Sequence, residues 1–598
     1  MLISILLEAS DVSAPKALRR SRSRNLPKLK KLIDKSNEVV ILDRKDYDEA
    51  VEKTIAEGPY VEWKSRRKFP VDALQNEVKN QLDQLMKKGI IKSWEKNKLI
   101  VKNPSIPRLY ALPKTHKTGN KMRPISSNTN APTSLIGKYL TQWASTLKPQ
   151  RNFSVKNSKE LIQTLKEIKI EEDEEIVSFD VEALFPSVPT GEALECLNEW
   201  IDSQDMSDDD AEKFCELAKI CLSQKVIRWR EKFYEQKSGL SMGNSLSPIV
   251  ANLFMGNLEI NASKTRWFPR FWRRYVDDVF AVVKKNTADE ILQHLNTLSP
   301  TIKFTLEKET DKKLPFLDLL IINNNGKIEF DIYRKPTHVP RYIPYASNHP
   351  HTHKIAAFQS MVQRMTNTPL SEERRLKETQ KIKEIAEIND FSQKIIDDII
   401  SKEEKRKLRE AMTTLKPLRR SLKSLTTKTG MTKQIFTELP MCEPINYKIE
   451  KILNRHNINV YYSSRGNLKS LLKSAKDSID DEEKSGIYEI SCVNCEKCYR
   501  GQTSRRIYER YKEHKCAWKN NNPSRSAMAQ HCIEKKHNMG PSKLLKEISN
   551  QRLLDSWESI LIDRGENLVN LDEPPIKSSL FVVASKARSK KATTKASV

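Results

Sequence analysis

The chain lacks any run of the roughly 18 consecutive apolar residues that a membrane span requires, so no membrane partner is expected. It has too little acid to balance its base: 105 Lys and Arg stand against 78 Asp and Glu, a net charge of +27. An excess of that size says little about fold and much about partners. A polyanion is the natural one, nucleic acid above all. Cysteine is sparse, with nine in 598 residues. A secreted disulfide framework would be denser and in a shorter chain. Most of the cysteines cluster between Cys492 and Cys532, which fits a reduced compartment and a local metal site. No internal repeat is visible. The apolar opening Met1–Leu7 is short, has no basic residues before it and runs into Glu8, so it reads poorly as a signal peptide.

The length allows about three to five domains. Residues 1–95 form a basic N-terminal region, with Arg19-Arg20-Ser21-Arg22-Ser23-Arg24 and a helix expected over 65–95 from the spacing of Leu74, Val78, Leu82 and Leu85. From 155 to 335, apolar strand candidates (Ile176–Phe179, Val276–Val283, Leu317–Ile322) alternate with longer helical segments, which predicts a mixed α+β or α/β core. Residues 346–430 are helical and heavily charged, 431–484 are linker-like, 485–575 form a new unit and 576–598 a basic tail.

Two segments in the core carry carboxylates where apolar residues dominate. Val177-Ser178-Phe179-Asp180 is an apolar strand ending in aspartate, with Phe185 five residues on. Tyr275-Val276-Asp277-Asp278 has the spacing of a hairpin. Alone, Asp277-Asp278 reads equally as a turn dipeptide and Asp180 as a helix cap. Partly buried carboxylates are costly without a counter-charge, and divalent metal is the usual remedy. Aspartates from separate strands can bridge the two Mg²⁺ ions, about 3.5–4 Å apart, that nucleotidyl transfer uses. Further pieces lie in order. Leu112–Lys117 and Lys121–Ile125 offer cations, including Lys117 and Arg123, before the first aspartate. Between the aspartates, Ser238–Pro248 contains Gly239 and Gly243, small enough for close approach to a nucleotide and template. Leu314–Asp318 and Tyr333–Thr337 follow.

This order resembles the fingers, palm and primer-grip motifs of reverse transcriptases over about residues 100–360. Tyr333–Thr337 with Tyr342, Ser347, His349-Pro350 and His353-Lys354 is similar to Penelope-like retroelement reverse transcriptases in particular. The resemblance implies a right-hand polymerase, with fingers and palm over 96–345 and a helical thumb over 346–430. It makes Asp180, Asp277 and Asp278 the catalytic set, Asp180 and Asp277 being the firmer Mg²⁺ ligands. Phe185 becomes a gate against the ribose 2′-hydroxyl, although it could equally be core. Arg123 and Lys117 become donors to the dNTP triphosphate, and Gly243 part of the substrate site.

The C-terminal unit has its own constellation. Gly486-Ile487-Tyr488 opens a strand, and Tyr499-Arg500-Gly501 follows eleven residues later. Arg506, Arg510 and His514 recur every four residues on one helix face. Glu558 sits in an apolar helix, and Asn567–Asp572 closes the unit. Cys492-Val493-Asn494-Cys495 with His531 and His537 has zinc-ligand spacing, at the long end for the histidines. Cys498 and Cys532 compete as ligands.

The unit resembles a GIY-YIG endonuclease, a small α/β fold, although Arg500 departs from the apolar middle residue of the second motif. The resemblance implies Tyr488 as the base, with Tyr499 beside it. It implies Arg510 as the cation that stabilises phosphorane-like charge, with His514 assisting. Glu558 becomes the ligand of one Mg²⁺, and Asn570 a supporting polar residue. Penelope-type endonucleases have a similar Cys-Cys-His-His cluster, which implies structural Zn²⁺ on Cys492, Cys495, His531 and His537. The joined activities imply template RNA, target DNA and dNTPs as partners, target-primed reverse transcription as the process, and the nucleus as the site of action after synthesis in the cytoplasm. A mobile-intron reverse transcriptase would be expected to carry an intron-binding segment, of which there is no sign. A purely binding derivative would not need all of Asp180, Asp277, Asp278, Arg510 and Glu558.

Overall fold

The computed structural model of the protein describes residues 29–33, 39–64, 70–113, 122–150, 153–336, 338–414, 435–440, 445–463, 473–474, 476, 479–548 and 550–570. At the centre of its mixed α/β first part is an antiparallel sheet of β1 (Glu174–Val181), β2 (Phe271–Tyr275), β3 (Asp278–Lys284) and β4 (Phe304–Lys308), in the order β4-β1-β3-β2. Side chains alternate along a strand, so each strand supplies two cores. Val177, Phe179, Val279, Ala281 and Trp272 face the helices. Ile176, Phe280, Val282 and Phe271 face a second antiparallel sheet, Lys313–Phe316, Leu319–Asn324 and Lys327–Ile332. Burial on both faces explains the near-continuous apolar runs. Each fully buried Val, Ile, Leu or Phe contributes about 1.5–3 kcal/mol, so the end of the sheet is a rigid ledge. On the helical side, α1 (Ser247–Ala262) buries Val250, Leu253, Phe254 and Met255, and is apolar nearly all round as a core helix must be.

Three boundaries differ from expectation. Val276 and Leu317 are not strand residues: both sit in turns with positive φ, +59° and +57°. Hairpin geometry overrides their β propensity there. The helix expected over 65–95 is two helices, Val71–Lys87 and Ser93–Leu99, separated by Gly89 at φ +81°, the left-handed conformation that ends helices. Residues 431–484 are not all linker. Strands Ile435–Pro440 and Ile458–Ser463 pair in parallel around helix Ile445–Arg455.

Arg123 lies in a five-stranded sheet, ordered Tyr60–Glu62, Lys232–Gln236, Val226–Trp229, Arg108–Pro113 and Met122–Ser127. Helices α2 (His351–Asn367), α3 (Glu372–Ile388) and α4 (Gln393–Thr414) close over Phe358, Met365, Ile382, Ile385 and Ile396. Arginine ion pairs tie them to the preceding sheet: Arg334 with Glu378, and Arg364 with Asp318 at 3.0 Å. The C-terminal unit is an antiparallel sheet of β5 (Gly486–Cys492), β6 (Cys498–Thr503) and β7 (Met539–Glu547), with β5 central. Helices α5 (Ile507–Lys519) and α6 (Ala527–Glu534) cover the face carrying Tyr488 and Ile490, and α7 (Leu554–Asp563) covers Ile487 on the other. No helix among the described residues is long and apolar enough to cross a membrane.

Candidate active sites

The first cluster lies where β1, β2 and β3 meet. Asp180, the penultimate residue of β1, is the direct cross-strand partner of Asp278, the first residue of β3. Asp277 is in the two-residue turn between β2 and β3, and its carbonyl accepts from the Val181 N–H at 3.0 Å. The three carboxylates therefore share one end of the ledge. Of the two simple readings of the sequence, the turn dipeptide is met in part, since Asp277 is a turn residue and Asp278 begins a strand, while the helix cap is not, since Asp180 is a strand residue and caps no helix. Cross-strand partners have Cβ atoms about 4.5–5.5 Å apart, and like charges there repel. A donor set of paired carboxylates within reach of one another suits Mg²⁺, which takes oxygen ligands and leaves places for phosphate and water.

Phe185 follows Ala183 (φ +48°) on a short helical turn, Leu184–Ser187. Its ring is half-buried against the helical core, and its carbonyl accepts from the Leu240 N–H at 2.7 Å. The glycines of the following loop serve a contact that sequence reasoning did not foresee. A Cβ on Gly243 would lie 1.6 Å from the Ser126 carbonyl oxygen, and one on Gly239 (φ +80°) 2.2 Å from that of Pro186. That close approach is to protein backbone, on the strand of Arg123 and just beyond Phe185. Arg123 is partly exposed, opposite Leu112 across its hairpin. Lys117 lies outside the described residues.

The second cluster draws on four elements of the C-terminal unit. Tyr488 on β5 is fully buried, and its hydroxyl is 2.7 Å from His514 Nε2 on α5. The Tyr499 ring on β6 lies 6.3 Å from that of Tyr488 and 5.1 Å from that of His514. Gly501 makes room for both tyrosines, since a Cβ there would lie 2.7 Å from the Tyr499 ring and 2.8 Å from both hydroxyls. A Cβ on Gly486, at φ +147°, would lie 2.0 Å from the Lys546 carbonyl oxygen. Burial raises both tyrosine pKa values, and the Arg510 guanidinium beside them opposes the rise. Burial lowers His514 from 6.5 to about 4, with Arg510 adding to the shift, so the ring is neutral. Glu558 on α7 accepts from Gln502 Nε2 at 2.9 Å, and burial raises its pKa.

Of the two candidate arginines, Arg510 faces the tyrosines. Arg506 is buried at the start of α5, bound to Glu509 and Asp72, so it ties this unit to helix Val71–Lys87. Asn570 does not point at the tyrosines. It accepts from the Arg500 N–H at 3.0 Å and donates to the Arg500 carbonyl at 2.6 Å, which makes it a backbone clamp on β6. Two residues escaped sequence reasoning. Ser526 Oγ is 2.7 Å from His514 Nδ1 and also accepts from the Ala529 N–H as the cap of α6. Gln502 holds Glu558 and Asp555 together. The capping pattern before α6 was the available signal for Ser526; Gln502 had none.

Cys492, Cys495, His531 and His537 converge, their ligand atoms all within 4.8 Å of one another. Zinc held tetrahedrally at ~2.3 Å from sulfur and ~2.0 Å from nitrogen has ligand–ligand edges of roughly 3.3–3.8 Å, so the donor set fits it. The closest pairs agree: Cys492 Sγ to His537 Nδ1 is 3.4 Å and Cys495 Sγ to His531 Nε2 is 3.3 Å. The competitors are not among these four. Cys498 faces the Glu566 carbonyl, whereas Cys532 is buried directly beside the cluster, its thiol next to those of Cys492 and Cys495.

Residues 115–312 match the family described as Reverse transcriptase (RNA-dependent DNA polymerase), and residues 341–401 match the Animal helix-turn-helix domain. The second match covers α2, α3 and the start of α4, a stretch assigned from sequence to a thumb. No curated protein matches the chain. Similar solved structures include telomerase from Candida albicans in complex with a TWJ fragment of telomeric RNA, at 11% identity, TM-score 0.40 and 60% coverage of each chain. They also include the Sicinivirus 3Dpol RNA dependent RNA polymerase, at 11% identity and TM-score 0.35, covering 55% of this chain and 71% of that one. The chain thus spans about 60% of the length of the telomerase chain it resembles.

Proposed function

From the premise that residues 115–312 are a reverse transcriptase domain, we propose that the protein is an RNA-directed DNA polymerase joined to a DNA-nicking endonuclease of GIY-YIG type, as in Penelope-like retroelements. The observation that carries the polymerase half is the cross-strand pairing of Asp180 with Asp278, with Asp277 on the adjoining turn, inside the matched segment. Two Mg²⁺ ions bound there would activate the primer 3′-hydroxyl and hold the dNTP triphosphate. Asp180, Asp277 and Asp278 would hold them. Arg123 and Lys117 would contact the triphosphate, and Phe185 would exclude the 2′-hydroxyl. The helices α2–α4 would act as thumb on an RNA–DNA duplex, through backbone and shape.

The nuclease half rests on the convergence of Tyr488, Tyr499, Arg510, His514 and Glu558 around one buried hydrogen bond. With its proton on Nδ1 and donated to Ser526, neutral His514 leaves Nε2 free to accept the Tyr488 proton as Tyr488 takes one from water. Arg510 stabilises the charge that develops on phosphate, and Glu558 would hold one Mg²⁺. The four-residue Cys-His set would hold a structural Zn²⁺. Joining the units makes chemical sense, because the nicked end is the primer and tethering raises its effective concentration. Target-primed synthesis on template RNA in the nucleus follows from this reading.

The test is primer extension on an RNA template with and without Mg²⁺, beside plasmid nicking, for the wild type, Asp277→Ala and Glu558→Ala. Asp277→Ala should abolish synthesis and spare nicking, and Glu558→Ala the reverse. Loss of both activities in either variant contradicts this division of labour.

A further inference from the structure

We propose that Arg274 is a positioning residue for the catalytic carboxylates, acting through the backbone of the turn that presents Asp277; the proposal rests on the polymerase reading above. Arg274 lies on β2, three residues before Asp277, and its side chain is completely buried. It shares a strand face with Trp272, two residues away. Opposite them, α1 offers Asn252 and Glu259, seven residues apart and hence on one helix face. Arg274 Nε donates to Glu259 Oε1 at 2.7 Å, and Trp272 Nε1 donates to the same oxygen at 2.9 Å. Arg274 Nη1 donates to Asn252 Oδ1 and to the Val276 carbonyl, both at 3.1 Å. The arginine's own backbone is fixed on both sides. Its N–H donates to the Phe153 carbonyl at 2.9 Å, its carbonyl accepts from Val155 N–H at 2.8 Å, and it pairs with Val279 across the hairpin.

The Val276 carbonyl is the one that needs such a hold. Val276 is exposed at the hairpin tip with φ +59°, a conformation that β-branched residues avoid and that persists only where the surroundings enforce it. That carbonyl belongs to the peptide joining Val276 to Asp277, so the bond from Arg274 sets the peptide plane from which the Asp277 side chain projects. A buried arginine–glutamate pair is weak evidence of stabilisation, since apolar residues of similar volume often serve as well. Its place under the catalytic turn is what stability alone leaves unexplained. The planar fork of guanidinium reaches Glu259, Asn252 and Val276 at once, which an ammonium cannot.

The experiment is primer extension by the full chain as Mg²⁺ and dNTP are varied, for the wild type, Arg274→Lys, Asn252→Ala and Arg274→Lys with Val276→Gly. Arg274→Lys should keep the wild-type circular dichroism and dNTP KM. Its kcat should fall about 10²-fold, the cost of a carboxylate misplaced by about an ångström, and its half-maximal Mg²⁺ concentration should rise. Adding Val276→Gly should restore much of the rate, because glycine takes positive φ without side-chain clash. Unchanged kcat and Mg²⁺ dependence would overturn the proposal. So would a loss that Val276→Gly leaves untouched, which is what a purely structural ion pair predicts. If Arg274→Lys does not fold, Asn252→Ala decides: it keeps the ion pair and removes one partner of the guanidinium, and wild-type Mg²⁺ dependence in it refutes the proposal. Absence of Mg²⁺-dependent synthesis in the wild type would instead remove the polymerase reading itself.

Discussion

The Tyr488 hydroxyl and His514 Nε2 lie 2.7 Å apart in the buried centre of the C-terminal unit, and the far nitrogen of that ring is 2.7 Å from Ser526 Oγ. The proposed nuclease step requires the Nδ1 proton to be donated to Ser526, which leaves Nε2 free for Tyr488. Ser526→Ala should therefore slow nicking by about 10-fold or more, within the range of general acid–base contributions, while leaving primer extension alone. Single-turnover nicking beside primer extension on one preparation makes the comparison. Equal nicking by variant and wild type would show that the tautomer does not matter.

The neutral His514 makes the unit acid-sensitive. Its pKa in the fold is about 4, against 6.5 when unconstrained, in a setting of Tyr488, Tyr499, Arg510 and Glu513. A depressed folded pKa means that stability is fully present above pH 6.5 and is lost as pH falls towards 4, by up to about 3 kcal/mol. Hydrogen exchange of the β5 amides at pH 7 and pH 5 reads this. His514→Gln, measured at the same two pH values, should lack the extra loss of protection at pH 5. An identical loss in the variant would assign the effect to other groups.

Metal removal should separate the two halves. Cys495→Ser, or a zinc chelator, should abolish nicking and expose β5 to proteolysis, because structural zinc supplies folding free energy, about 10–16 kcal/mol in small domains. Mg²⁺-dependent synthesis should persist. Elemental analysis should find one zinc per wild-type chain and none in the variant. A zinc-free wild type with full nicking would rule out the site.

Gly243→Ala tests the loop contact. With its Cβ 1.6 Å from the Ser126 oxygen, the strand carrying Arg123 must move. Overpacking of this kind costs about 1–3 kcal/mol, so the variant should melt earlier and lose synthesis while nicking survives. Unchanged melting and synthesis would show that the loop relaxes freely.

Much of both sites is legible in sequence because their signals are local. An apolar strand closed by Asp180, a Tyr275–Asp278 hairpin, Cys492 with Cys495 and the four-residue rhythm of Arg506, Arg510 and His514 each sit within a dozen residues. What failed was also local in cause. Val276 has the composition of a strand residue, yet the hairpin needs a positive φ there. The segment over 435–463 is richer in apolar residues than the chain as a whole, but they fall in stretches short enough to read as linker.

The sequence alone determined the chemistry available to this chain: paired carboxylates in an apolar setting, a zinc-type ligand spacing, two tyrosine motifs and a strong positive charge. Residue type and short spacing carry that information because strand and helix periodicity act over a few residues. Only the tertiary structure decided that Arg510 and not Arg506 faces the tyrosines, that Cys492, Cys495, His531 and His537 are the four that converge, and that Arg274 lies buried beneath Asp277. Those choices join residues tens to hundreds of positions apart. They are settled by which faces the packed cores turn towards one another, a property that belongs to no single segment.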